Sequence, residues 1–223
     1  MNPKKYLIFD SGPLINFAMN GCLDILEKLK KEFNGEFLIT KEVIEEIIET
    51  PITIKRFELE ALQLKSLYDR GVIKLADLTP QQVDELKIKR EEITATANYM
   101  FNKKKKPIFL IGKGEAAVLA LSKILNSPHV VIDERTARML CENPENLRKL
   151  LEKKLHTQIR ARKENYSYFK GYKVIRSTEL AYIAHKKNLF EIKDPRVLEA
   201  TLYGLKYNGC SISETEIEEM KNL

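Results

Sequence analysis

Four acidic residues, Asp10, Glu46, Glu115 and Asp133, each stand where an apolar run meets a helical one. Asp10 ends Tyr6-Leu7-Ile8-Phe9, and Asp133 ends Val130-Val131-Ile132. Glu46 follows Phe37-Leu38-Ile39-Thr40 within a helical stretch, and Glu115 opens the helix Gly114 to Leu121. Carboxylates brought together repel, and burial penalises each charge further. A divalent cation relieves both, and magnesium prefers oxygen ligands. The chemistry such a set supports is phosphodiester hydrolysis, with the cation lowering the pKa of a bound water and steadying phosphoryl charge. Asp10, Glu115 and Asp133 are then the metal ligands, and Glu46 ligates through water or holds a ligand in place. Taken singly, each acid has a plainer reading. Asp10 is a turn residue, Glu115 a first-turn acid favoured by the helix dipole, Asp133 a cap, and Glu46 one of several solvated glutamates. Their joint placement is what points to chemistry.

Competing sites are poorer. His129, His156 and His185 are scattered, with no nucleophile signature beside them. An aspartyl phosphotransferase built on Asp10 wants a second acid two residues on, where Gly12 stands. Cys22, Cys141 and Cys210 form neither a CxxC pair nor a zinc spacing, and read as reduced thiols of a cytoplasmic protein.

The elements that must carry these acids alternate. Short apolar runs near residues 6–9, 37–39, 129–132 and 174–175 read as strands, with amphipathic helices between them. That alternation predicts a parallel sheet covered on both faces, with ligands at the carboxyl ends of the strands. Val72 to Leu75 reads as a short edge strand. Ile108 to Ile111 fits a strand or a buried loop equally. Thr40 caps a helix over 41–49, Thr79 precedes one over 80–100, and Asp194-Pro195 opens one reaching Tyr207. Ser213 and Glu216 fit a capping box.

The chain has 223 residues, 43% of them hydrophobic, enough for a real core. A net charge of +6 suggests a polyanionic partner. Charged residues make up 31%, rich in Lys and Glu, a balance that hints at heat adaptation. No leader is visible at Met1 to Tyr6, and no apolar run approaches a bilayer-spanning length. The division read from composition is a domain over 1–192 and a helical extension over 193–223. Within the first, about 142–173 reads as a basic insertion, a long helix followed by a mobile loop. Its Arg160, Arg162 and Lys163, interleaved with Tyr166 and Tyr168, suit single-stranded nucleic acid. The alternative is a solvated helix whose tyrosines pack on the domain. Lys103 to Lys106 is a second basic candidate.

The ordered motifs carry a resemblance. Asp10-Ser11-Gly12-Pro13-Leu14-Ile15-Asn16-Phe17-Ala18 is similar to the opening of PIN-domain nucleases, closest to the VapC-like toxin branch. Matching stretches follow at Val43 to Ile47, Gly114 to Leu121, Val131 to Arg138 and Val174 to Thr178. The resemblance implies a three-layer α/β/α sandwich and a Mg2+- or Mn2+-dependent ribonuclease acting on single-stranded RNA. It matches Asp10, Glu46, Glu115 and Asp133 to the acidic positions, with Ser11 and Glu134 as supporting residues. It also raises an antitoxin protein and a second copy of the chain as partners. A PIN-like RNA-binding scaffold without catalysis is the competing reading. The insertion and the chain's length depart from the stand-alone toxin pattern.

Overall fold

Tyr6 to Phe9 carries no polar interruption because both of its faces are covered. In the computed structural model, which describes residues 5–223, these residues form β1 (Lys5–Phe9) at the middle of a five-stranded sheet. Met1 to Lys4, where the chain was read as lacking a leader, lie outside the described residues.

The chain leaves β1 through α1 (Ser11–Met19) and α2 (Leu23–Glu32) and returns as β2 (Gly35–Ile39). Thr40 then accepts from the Val43 amide and caps α3 (Lys41–Ile44). This helix widens into a π-helical turn over Glu45–Glu49, and a 3-10 turn, Pro51–Thr53, ends it. Next come α4 (Glu58–Asp69) and the edge strand β3 (Lys74–Leu75). Helix α5 (Pro80–Asn98) starts on a Thr79/Gln82 capping box. A hairpin of β4 (Phe101–Lys103) and β5 (Lys106–Pro107) leads to α6 (Lys113–Ile124) and β6 (His129–Val131). Helices α7 (Arg135–Glu142) and α8 (Pro144–Leu155), strand β7 (Ile159–Ala161) and a 3-10 turn over Lys163–Phe169 precede β8 (Lys173–Ile175). The chain closes with α9 (Ser177–Lys186), α10 (Val197–Tyr207) and α11 (Glu214–Asn222).

The main sheet is parallel, in the order β3-β2-β1-β6-β8. From β1 the chain steps outward to β2 and β3, then crosses back to β6 and β8. Right-handed crossovers in opposite directions put helices on opposite faces, giving a three-layer α/β/α sandwich. Helices α1, α2, α4 and α9 pack among themselves, and α5 packs on α6. Residues Ala116 to Ser122 of α6 are all buried, so this helix runs through the core rather than along it. Phe9, Phe17 and Phe37 fill the opposite layer's contact with the sheet. Among the described residues, no helix is long and apolar enough to cross a membrane.

One open reading is decided and two sequence expectations change. Ile108 to Ile111 is a loop, held because the Asn98 carboxamide accepts from the Leu110 and Ile111 amides and donates to the Ile111 carbonyl. A strand there was unnecessary, since one buried side chain satisfies the backbone. The basic insertion is folded rather than mobile: β7 pairs antiparallel with β4, giving a separate sheet of order β5-β4-β7. Helix α10 begins at Val197, because Asp194 Oδ1 accepts from the Arg196 amide and shapes a turn first.

Candidate active site

The order of the main sheet reverses between β1 and β6, and the crevice beyond the carboxyl ends of such neighbours is where α/β sheets bind ligands. Asp10 and Asp133 flank it. The Asp10 amide donates to the Val131 carbonyl at 3.0 Å, which fixes Asp10 against β6. Gly12 lies between the two acids: a methyl built there would stand 3.8 Å from both Asp10 Oδ2 and Asp133 Cβ.

The two aspartates have opposite surroundings. Asp10 is 4% exposed, and its Oδ1 has no hydrogen-bond partner among the described residues. Burial, then the charge of Glu115 and less strongly that of Glu46, push its pKa up to about 8, against the pull of the Ser11 and Gly12 amides. Asp133 is equally buried but satisfied. Its Oδ1 accepts from the Ser177 amide at 2.7 Å. Its Oδ2 accepts from the Ser177 hydroxyl at 2.8 Å and from Asn16 Nδ2 at 2.5 Å. Burial still raises its pKa, with these donors opposing the rise. Asp133, expected as a direct ligand, therefore spends most of its acceptor capacity on Asn16 and Ser177.

The two glutamates are the acids whose charges reach Asp10. Glu46 sits in the π-helical turn, a distortion that recurs at functional sites, and its side chain is exposed. Its carboxylate reaches Gly114 at the start of α6, where a Cβ would come within 2.8 Å of Glu46 Oε1. Glycine at 114 makes room for that approach. Glu115, one residue on, accepts from the Gly112 amide at 3.0 Å, which anchors it in the first turn of α6.

A family model described as a PIN domain matches residues 6–147, more than half of the chain and all four acids. The chain belongs to the PIN-domain family. PIN domains are in general nucleases that typically use divalent metals, and the three-layer sandwich is their fold. Comparison with curated proteins finds no match.

Within this PIN domain the remaining expected residues spread out. Ser11 begins α1, half-buried, with its amide towards Asp10. Glu134 is exposed and caps α7 by accepting from the Ala137 amide at 2.7 Å. Arg160 and Arg162 lie exposed on β7 and just beyond it, and Lys163 approaches Glu145 at 3.9 Å. The tyrosines are engaged with the domain. Tyr166 donates to Glu145 and meets Phe101 edge-on, while Tyr168 donates to Glu92 and carries Lys123 over its ring. That is the alternative in which the tyrosines pack on the domain.

Asn16 and Ser177, which hold the Asp133 carboxylate, were not among the site residues expected from the sequence. Asn16 had a visible signal: it is a polar residue inside the apolar run Leu14 to Ala18, and it is buried.

Among the described residues, no three His, Cys, Asp or Glu side chains stand close enough together to hold an ion as placed. The donor set nevertheless fits a hard cation. It is all oxygen, it includes a buried oxygen with no partner among the described residues, and the charges of Glu115 and Glu46 raise the pKa of Asp10. A cavity of about 560 Å³ lies elsewhere, between Tyr6, Leu29, Phe33 and Leu180 at the amino ends of the strands, and takes no part in this site.

Proposed function

We propose that this protein is a divalent-cation-dependent endoribonuclease, acting on single-stranded RNA at the Asp10 crevice. The observation that carries this reading is Asp10: a buried carboxylate with an unpaired oxygen, facing two further carboxylates at a sheet switch point. Such an arrangement is unfavourable without a positive partner, and a fold maintains it only where the partner is useful.

Asp10, Glu115 and Glu46 would hold Mg2+ or Mn2+. Bound there, the ion would supply acidity to a coordinated water and charge neutralisation at the scissile phosphate. The protein's own share is positional. The Asp10 backbone is fixed by its amide's bond to the Val131 carbonyl, and the Glu115 side chain by the Gly112 amide. Asp133 acts as a positioning residue that clamps α1 to the start of α9 through Asn16 and Ser177. Asp10→Asn keeps the shape and removes the charge. Wild type should cleave a labelled single-stranded RNA with Mg2+ or Mn2+, and Asp10→Asn should not. Equal cleavage by both, or none by either, would return the protein to the RNA-binding scaffold.

The toxin role and the antitoxin partner rest on the likeness of Asp10 to Ala18 to VapC-type openings. Induced expression should arrest growth in the wild type and not in Asp10→Asn, and the product of an adjacent gene should reverse it. Pairing with a second copy is tested by light scattering of the purified chain.

A further inference from the structure

The sequence places Lys103 to Lys106 and the Arg160–Lys163 segment far apart, and the fold joins them. Strand β4 runs between β5 and β7, with Asn102 opposite both Pro107 and Arg160. Phe101 and Ile159 are buried on the inner face of this small sheet, so Asn102, Pro107 and Arg160 share the outer one. Lys104 and Lys105 at the hairpin tip and Arg160 and Arg162 are exposed, and none of them has an ion-pair partner among the described residues. Other cations of the same segment do pair: Lys163 with Glu145, and Arg148 with Glu145 and Glu152.

The hairpin tip is built against backbone preference. Lys104 and Lys105 have φ of 47° and 69°. A two-residue loop with both φ values positive favours Asn-Gly or Asp-Gly. Two lysines there trade local stability for two cations at the most exposed point of the sheet.

An aromatic completes the surface. Phe109 is 83% exposed, against 53% for Tyr99. It stands in the loop that Asn98 pins on both following residues, so its backbone is fixed while its ring is free. The same loop runs directly into α6, and six residues of chain keep Phe109 within about 20 Å of Glu115.

We propose that the outer face of the β5-β4-β7 sheet, with Phe109 beside it, is the track on which single-stranded RNA lies as it enters the Asp10 crevice. Cations meet the phosphates, and the Phe109 ring takes a base by stacking, which requires an unpaired base. Phe109 thus fills the role that sequence reading gave to Tyr166 and Tyr168. The assignment rests on the nuclease reading only for where the strand leads.

The test is binding of a fluorescent single-stranded RNA by anisotropy, in chelator so that no cleavage occurs, across a salt series. Cleavage of the same RNA with Mg2+ is measured separately. The double substitution Lys104→Asn/Lys105→Gly suits the turn better, so its Tm should hold or rise. Its plot of log affinity against log salt should nonetheless flatten by about 1.4, two phosphate contacts' worth on a single strand. Phe109→Ala should weaken single-strand binding roughly 5- to 100-fold, Phe109→Trp should restore it, and a duplex of the same sequence should be indifferent to both. An unchanged salt slope in the hairpin variant, or a Phe109→Ala effect within about twofold, overturns the track. Wild-type cleavage failing while these binding effects appear would remove the nuclease reading and leave the track standing.

Discussion

Replacing Asp10 by Asn should stabilise the protein in alkaline solution and leave it unchanged in acid. The unfolded chain ionises this carboxyl near 3.8, whereas the native one holds its proton to about 8, chiefly through burial and then through Glu115. The stability this group contributes is therefore whole below pH 3.8 and drains away as pH rises through about 8. At 1.36 kcal/mol for each pH unit, the full interval corresponds to about 6 kcal/mol. Water entry and local relaxation reduce such figures, and about 2–4 kcal/mol is expected at pH 9. For a domain of this size, that is a Tm difference of roughly 5–15 °C. Urea unfolding of wild type and Asp10→Asn, in chelator at pH 4, 6, 7.5 and 9, should give curves that coincide at the acid end and diverge steadily. Other titrating groups cancel in the comparison. Adding Mg2+ at a hundred times its Kd should then restore about 2.7 kcal/mol to the wild type alone. Parallel curves from pH 4 to 9 would refute the view that Asp10 is held under electrostatic strain.

Three further perturbations follow from the same geometry. Asn16→Ala removes a donor from the buried Asp133 carboxylate and should cost roughly 2 kcal/mol in urea unfolding, the usual worth of a hydrogen bond to a charge. Gly114→Ala should displace the Glu46 carboxylate while keeping or slightly improving helix stability. RNA cleavage should fall about 10- to 100-fold with Tm unchanged, and unaltered cleavage would take Glu46 out of the site. Arg176 is buried and donates to Glu179, Glu216 and the Ser211 carbonyl. Arg176→Ala should lower stability by about 2–3 kcal/mol, because Glu216 and a carbonyl lose their shared partner, and calorimetry should show it at neutral pH.

What the sequence disclosed depends on how local the cause is. The strands at 6–9 and 129–132 were legible because burial on both faces demands an unbroken apolar run, and strand-end aspartates came with them. The capping box at Ser213 was legible for a similar reason, since cap and partner lie three residues apart. The insertion was misjudged because β7 is three residues long and exists only through pairing with β4, a partner that no local pattern announces. The unusual state of Asp10 and the satisfied one of Asp133 look identical in the sequence. They differ through Asn16 and Ser177, which only folding brings to the second aspartate.

The clamp on Asp133 has a consequence for biosynthesis. Ser177 follows it by 44 residues, and the Ser211 amide, further on still, donates to the Asp133 carbonyl. A ribosome partway through the message thus carries every acid of the crevice before it has made the parts that seat the last one. The Asp133 side of the crevice therefore cannot be seated until the chain as far as Ser211 has emerged.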